Sequence, residues 1–461
     1  MTNDFNFKLQ QVMENEDARW ELRAWLLLGV GALAIAGVFA LMLALSRVPG
    51  SEKLVPWPLD FFHKGLVIHV VFSFVVWFLC MLSALAVAAT YWLDDGRARG
   101  RSTGRSSVWM VSAAMILLLY PALKHASEAS LNNYVPAILD PFYYLGLVFL
   151  MMGVLFVQIR MLASLARRAN PAGPFGAGAL WTAGAYLAAV ACLVVTFKLG
   201  TSEAMSAELN ERLFWGGGHV LQFVNVGLMM IGWLILAGRA GIDMPDRLFK
   251  GAMAALFGFA LMGPLLYAIY PPFSAEQTQA FTDLQYLLAP VPVVLAAAVA
   301  PGLLAGIKGR PEAQILALSM AVFFLGGFLG LFVDGADTRT PAHYHGVIGG
   351  VNIAVMGAVF VFLLPLLGRG VEMSRRVLAI FWLYGAGQAL HSLGLFFAGG
   401  YGAPRKVAGD VAGLEALGAK LSLYMMGIGA VIAVIGGVMF IWITGRALLR
   451  PAQTPSPDAP Q

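Results

Sequence analysis

The stretch Ala342-His343-Tyr344-His345-Gly346 lies near the start of a long apolar run from about Pro341 to Leu367. Side chains two positions apart on an α-helix point roughly 200° from each other, so the two imidazoles serve opposite sides of that helix. Histidine is rare inside a bilayer, and an ionisable group at membrane depth marks a functional site by default. Gly346, Gly349 and Gly350 remove side-chain bulk where a flat ligand would approach the backbone. The pattern suits one helix sandwiched between two haem groups, each taking one imidazole. A plainer reading stands beside it: two buried histidines bonded to backbone or to each other.

Working outward, the composition is that of a membrane protein. Of 461 residues, 59% are hydrophobic and only 12% charged, far from the mix of a soluble domain. Nearly the whole chain reads as one polytopic domain. Cys80 and Cys192 both sit in apolar runs and form neither a disulfide framework nor a CxxC metal motif. The net charge of +5 is modest, and nothing supports nucleic-acid binding. The first 23 residues are polar and mixed in charge, without the apolar core of a cleavable signal peptide.

Twelve apolar runs are each long enough to cross a bilayer as a helix. They lie near 24–46, 60–93, 107–123, 139–163, 177–199, 213–238, 251–270, 281–307, 313–333, 341–367, 377–398 and 421–445. The expected organisation is a cytoplasmic N-terminal segment over 1–23, an all-α membrane bundle over 24–446, and a disordered cytoplasmic tail over 447–461. With both ends inside, the five inner loops hold 15 Lys/Arg, including three in 160–168, while outer loops and helix ends hold 10. That bias favours cytoplasmic termini. In this orientation His69, His219, His343, His345 and His391 fall in one slab near the outer face. Scattered structural histidines would not share a depth, so the slab argues for a cofactor layer.

These motifs resemble subunit I of the haem–copper oxidases, including the related nitric oxide reductases, over nearly the full chain. His343-Tyr344-His345 is similar to the family's His-x-His on its tenth helix, where the first histidine ligates a high-spin haem and the second a low-spin haem. Phe62-His63-Lys64-Gly65-Leu66-Val67-Ile68-His69 resembles the second-helix segment, which makes His69 the other low-spin ligand. Asn132 to Pro136 and Tyr144 to Leu147 resemble the connection between the third and fourth helices in the B-type branch. His391-Ser392-Leu393-Gly394-Leu395, followed by Gly402-Ala403-Pro404-Arg405-Lys406, is similar to a run whose two basic residues contact haem propionates. Arg405 and Lys406 would fill that role, as cations suited to charge-assisted bonds with carboxylates. The resemblance implies a twelve-helix bundle in a bacterial inner membrane with two haems. It also implies an outer-side electron donor such as cytochrome c, and a second subunit.

The departures shape the function. Trp215-Gly216-Gly217-Gly218-His219 supplies the sixth-helix histidine of the family's copper site. The seventh run ends Ala268-Ile269-Tyr270-Pro271-Pro272-Phe273, with Tyr270 and Pro271 about where a His-His pair should stand. A single imidazole does not hold copper firmly, because affinity needs several convergent donors, so copper is expected to be absent. Phe223 replaces the tyrosine that many family members carry four residues after that histidine. The sixth to ninth runs are apolar through most of their inner halves, which argues against a proton path from the cytoplasm.

Three functions are weighed. The first is an oxidoreductase passing electrons through the His69–His345 haem to the His343 haem, where oxygen or nitric oxide is reduced, with His219 as a distal group. The second is a non-catalytic dihaem electron-transfer or gas-binding subunit. The third, a transporter with coincidental histidines, fits the shared depth poorly. A respiratory cytochrome b type is excluded, since it pairs histidines about four turns apart on two helices. His391 reads as structural, His63 as interfacial and His125 as a solvated loop residue. Asp334, Asp337 and Arg339 suit either a network around propionates or a plain helix-capping turn.

Overall fold

Long apolar helices with polar punctuation dictate the architecture, because in lipid each backbone polar group must be satisfied within its own segment. The computed structural model describes residues 3–46, 59–97, 99–124, 127–131, 135–200, 203–333, 335, 337–405 and 416–450. A short helix α1 (Asn3–Val12) precedes α2 (Glu16–Ser46). The second span is α3 (Leu59–Val70), a π-helical turn over Val71–Val76, and α4 (Trp77–Leu93). Then come α5 (Arg101–Leu119), a two-strand ribbon of β1 (Ala129–Ser130) and β2 (Ala137–Ile138), α6 (Pro141–Ala166), α7 (Gly173–Gly200), α8 (Ala207–Arg239) and α9 (Asp246–Ile269). The eighth span is broken into α10 (Ala275–Leu284) and α11 (Pro290–Gly306). The chain closes with α12 (Pro311–Gly330), α13 (Arg339–Ala358), a second π turn over Val359–Leu363, α14 (Leu364–Leu366), α15 (Arg375–Gly400) and α16 (Leu417–Leu449).

Among the described residues, eleven spans are long and apolar enough to cross a membrane. The remaining expected helix, eleventh in order, is present as α15, 26 residues long, and Gln388, His391 and Ser392 dilute its apolar character. Helix starts follow local chemistry. Asp140 and Ser206, Ser274 and Ser374 accept hydrogen bonds from the first-turn amides of α6, α8, α10 and α15. Pro141 and Pro311 begin helices where no amide donor is needed. Past the end of α8, Gly241 takes φ +64°, the left-handed turn that halts a helix.

The helices sort into inner and outer layers. In the spans Ala207–Arg239 and Arg339–Leu366, 89% of the apolar stretch is buried, against 22% in Ala275–Gly306. The bundle is thus centred on α4, α8 and α13, with α12 packed along α13 and α16 along α15. Close helix contacts use glycine: a Cβ on Gly350 would stand 2.5 Å from Phe323 Cβ, and one on Gly436 2.7 Å from the Tyr384 amide nitrogen.

Four helices, α2, α5, α8 and α10, begin well before the runs expected from the sequence. The first membrane helix begins at Glu16 rather than near 24, and Leu9, Met13, Glu21 and Leu22 are buried, so the N-terminal segment packs on the bundle. The physical reason is a buried pair: Glu21 Oε2 accepts from Arg160 Nη1 at 2.6 Å, and Glu21 Oε1 accepts from the Tyr91 hydroxyl at 3.2 Å. Arg160, counted from the sequence as an inner-loop cation, therefore lies within α6 and is 6% exposed. The eighth run also begins earlier and bends, at a 3-10 turn over Gln285–Leu288 followed by Pro290. His125, Asn132 to Tyr134, Asp334, Lys406 and the tail from Pro451 lie outside the described residues.

Candidate functional site

His343 and His345 leave α13 on opposite sides, as their spacing requires. His343 Nδ1 lies 2.8 Å from the Gly326 carbonyl on α12. Gly330 stands against the same ring, where a Cβ would fall 2.5 Å from Nδ1. His345 turns instead towards α15, where its ring meets His391 edge-on at 4.6 Å between centroids and 77° between planes.

The His345 side opens on a cleft of about 1100 Å³, part of it open to the surroundings. His69, His345 and His391 all line it. Ala36, Gly37 and Ala40 line it from α2, and Ala430, Ala433 and Gly437 from α16, alongside larger residues such as Leu33, Leu43, Val434 and Ile441. The structure thus brings His69, from the second span, and His345, from the tenth, to one place.

Each of these imidazoles has a defined orientation. His69 Nδ1 is 3.1 Å from the Ala36 carbonyl and His391 Nδ1 is 3.0 Å from the Met426 carbonyl. A carbonyl only accepts, so these contacts put the proton on Nδ1 and the lone pair on Nε2. Ligating histidines show the same arrangement, their second nitrogen donating to a carbonyl or carboxylate. The π turn begins two residues after His69, and π turns inside α-helices concentrate at functional sites. Ser73 Oγ donates to the His69 carbonyl at 2.6 Å.

Below the imidazoles the cleft is polar. Trp77 Nε1 donates to Asn352 Oδ1 at 2.9 Å, and Asn352 Nδ2 donates to the Tyr384 hydroxyl at 2.8 Å. Asn352, Tyr384 and Gln388 line the cleft. The sequence reading passed over all three. The available signal was a polar residue inside an apolar run, Asn352 two turns after His345 and Gln388 one turn before His391. His391, read as structural from its position, does bond to backbone, yet its ring also faces the cleft.

His219 is fully buried on α8. Its Nδ1 lies 2.6 Å from the Trp215 carbonyl, and its ring packs between Trp215 at 4.8 Å and Phe281 at 6.1 Å. Gln285, from the bend in the eighth span, donates to the His219 carbonyl at 3.2 Å. Phe223, one turn on, is also fully buried. Tyr270 caps the end of α9 in extended backbone, and Pro271 follows it. Among the described residues no three His, Cys, Asp or Glu side chains converge as a metal would require.

At the outer end, the turn before α13 is tied to the turn after α15. Asp337 bridges to Pro404, the Thr338 amide donates to the Ala403 carbonyl at 3.0 Å, and the Thr338 hydroxyl donates to the Leu395 carbonyl at 2.7 Å. Asp337 Oδ1 accepts from the Arg339 amide at 2.8 Å, which is the helix-capping turn, and Arg339 Nη2 lies 2.7 Å from Asp337 Oδ2. Burial opposes ionisation of Asp337, but hydrogen bonds and charge from Arg339 outweigh it and hold the carboxyl below its ordinary range. Arg405 Nη1 donates to the Gly335 carbonyl at 3.1 Å, so Arg339 and Arg405 both sit in this joined rim.

Comparison with known proteins agrees with this architecture. The family described as cytochrome c and quinol oxidase polypeptide I matches residues 22–439. An uncharacterised protein of Rickettsia prowazekii (strain Madrid E) is 25% identical over 503 aligned positions, covering 92% of this chain and 95% of the relative. An uncharacterised protein of Aquifex aeolicus (strain VF5) is 28% identical over 345 positions, covering 74% of this chain and 83% of the relative. Among solved structures, a heme-copper terminal oxidase dimer shares the fold with a TM-score of 0.73 at 15% identity, covering 95% of this chain and 85% of that one.

Proposed function

The chain belongs to the cytochrome c and quinol oxidase polypeptide I family, and from that membership we propose a haem-carrying membrane oxidoreductase subunit. In this reading His69 and His345 hold a low-spin haem in the cleft, and His343 holds a high-spin haem on the other side of α13. The observation that carries it is the cleft that His69 and His345 line from different spans. Bis-imidazole ligation needs two lone pairs aimed at one point from facing helices. The His69 contact to Ala36 prepares one of them. The Gly326 carbonyl orients His343 in the same way. Once bound, the haems supply one-electron carriage and an open axial position for a small oxidant such as oxygen or nitric oxide.

The chain's own residues have definite parts. With Nδ1 donating to Trp215, neutral His219 offers a lone pair at Nε2, so it accepts a proton or hydrogen bond rather than supplying one. Arg339 and Arg405 in the outer rim, and by its place in the sequence Lys406, suit the propionate carboxylates. Copper does not fit: around His219 stand the rings of Trp215 and Phe281, and copper wants several convergent imidazoles. No step is therefore assigned to copper, and none to proton pumping. Electrons enter from an outer-side donor of the cytochrome c kind, with a second subunit as docking partner. The charge bias supports an orientation with both termini cytoplasmic, in a bacterial inner membrane as the family resemblance implies.

The test is spectroscopic. Purified protein is expected to show a Soret band, two haems per chain, no stoichiometric copper, and a carbon monoxide shift of the reduced form. His69→Ala and His345→Ala each remove the low-spin component. A colourless protein would end the reading. The missing seventh-helix histidine pair favours a second reading, a dihaem electron-transfer or gas-binding subunit. Carbon monoxide binding without turnover of oxygen or nitric oxide would select it.

A further inference from the structure

Three arginines meet at the end of the bundle where α2 begins and α16 ends. Arg23 Nε donates to the Leu448 carbonyl at 2.9 Å. Arg369, in the turn before α15, donates from Nη1 to the neighbouring Ala447 carbonyl at 3.0 Å. Arg19 precedes Arg23 by four positions and so shares its face of α2. Partial burial, and after it the charges of Arg23 and Arg19, push the Arg369 guanidinium below its ordinary range, so the three cations feel one another.

Capping α16 accounts for only part of this group. The last carbonyls of a helix lack partners in their own helix, and Arg23 and Arg369 serve two of them. Each guanidinium carries several further N–H donors, and Arg19 Nε is buried with no hydrogen-bond partner among the described residues. The helix end offers about half a negative charge against the three cations. Among the described residues no carboxylate pairs with any of the three. Asp17 is taken by Arg101 and Arg105, and Glu21 by Arg160 and Tyr91. Glu372, just past Arg369, is exposed and forms no ion pair among the described residues. The depth of the group narrows the missing anion. The membrane-crossing stretches Glu16–Leu43 and Leu417–Leu449 have their ends here. Trp20, beside Arg19, is 39% exposed, and Trp442, about 9 Å before Leu448 along α16, is 68% exposed. Exposed tryptophans near the ends of membrane helices mark the headgroup level of a bilayer.

We infer that Arg19, Arg23 and Arg369 form a binding site for a phosphate group, and that an anionic phospholipid of the adjoining leaflet supplies it. Planar guanidinium forks match phosphate oxygens in pairs, which a single ammonium does not. A phosphodiester with an uncharged headgroup brings the net negative charge that the group lacks, whereas a choline headgroup sets a further cation beside three arginines. Free phosphate shares the chemistry but has no acyl chains to lie against exposed side chains of α16 such as Val438 and Trp442. Bound there, the lipid joins the start of the first span, the end of the last and the turn before α15. The site lies apart from the haem cleft and does not depend on the ligation reading.

The experiment strips lipid from the purified full chain in a neutral detergent and titrates it with dioctanoyl phosphatidylglycerol, counting adducts by native mass spectrometry. Dioctanoyl phosphatidylcholine and inorganic phosphate are titrated in parallel. The expected result is saturable binding of phosphatidylglycerol, about tenfold tighter than phosphatidylcholine. Arg19→Gln breaks no side-chain hydrogen bond described here and weakens that binding about fivefold, the factor equivalent to roughly 1 kcal/mol for one arginine at an anionic surface. Arg19→Gln combined with Arg369→Gln weakens it further, whereas Arg247→Gln, exposed on α9, leaves it unchanged. Equal binding of the two lipids overturns the inference, as does wild-type affinity in the double variant or an equal loss in Arg247→Gln. Inorganic phosphate that binds as tightly as phosphatidylglycerol assigns the site to a soluble anion and overturns the lipid. Should the double variant not fold, Arg19→Gln decides alone.

Discussion

Replacing Arg160 with Met tests the buried pair that anchors the N-terminal end of the bundle. Arg160 and Glu21 are 6% and 1% exposed, and their closest atoms are 2.6 Å apart. Arg160 Nε also donates to the Arg99 carbonyl at 2.8 Å, and its guanidinium lies 5.4 Å from the centre of the Tyr91 ring. Removing one partner of such a pair leaves a charge buried and uncompensated, a loss of about 3–5 kcal/mol. Replacing both with apolar groups of similar size is close to neutral, so Glu21→Leu combined with Arg160→Met should return most of that loss. The double-mutant cycle should then show a coupling of about 3 kcal/mol. The assay is equilibrium unfolding of the full chain in mixed detergent–SDS micelles, followed by far-UV circular dichroism. Glu21 precedes Leu33, the first cleft residue on α2, by twelve positions or about 18 Å. The absorption spectrum per folded molecule should therefore be unchanged. The reasoning is refuted if Arg160→Met costs less than about 1 kcal/mol, or if the double variant is as unstable as the sum of the singles.

Three further outcomes are expected. A Cβ at Gly326 would land on the backbone of Gly346 and Val347, so Gly326→Val should force α12 from α13 at a cost of about 1–3 kcal/mol. It should also pull the Gly326 carbonyl from His343, so the carbon monoxide-binding component should fall while the low-spin bands persist. His391→Phe keeps an aromatic ring against His345 but loses the bond to Met426, costing about 1 kcal/mol. Its low-spin spectrum should remain, whereas His345→Phe should abolish it. At the outer rim, Asp337 has a carboxyl held below its ordinary 3.8, so the stability it lends is complete above that pH and lost as pH falls through the depressed value. Asp337→Asn should flatten the acid limb of a thermal-stability profile below the carboxyl's ordinary 3.8.

Much of this protein was legible from local pattern. Composition and run length placed it in a membrane, and the twelve helices follow the expected runs to within about five residues except where α2, α5, α8 and α10 begin earlier. The opposite directions of His343 and His345 follow from helix geometry alone, and the structure keeps them. These properties belong to one segment at a time, which is why a linear reading can reach them. The eleventh helix, α15, was read as an apolar run even though Gln388, His391 and Ser392 blunt its hydropathy.

Which helix faces which was decided only in three dimensions. A membrane helix that is apolar all round has no polar stripe to mark its inner side. Periodicity therefore could not say that His69, His345 and His391 share one slot, or that His343 is gripped from α12. Nor could it pair Arg160 with Glu21, since a lone arginine near a run's end reads equally as a loop cation. The direction of the Trp77–Asn352–Tyr384 bonds likewise exists only once three spans meet. The sequence by itself determined the helices, their order and the residues able to bind iron; the packing of small residues between them decided the cleft and what its walls require.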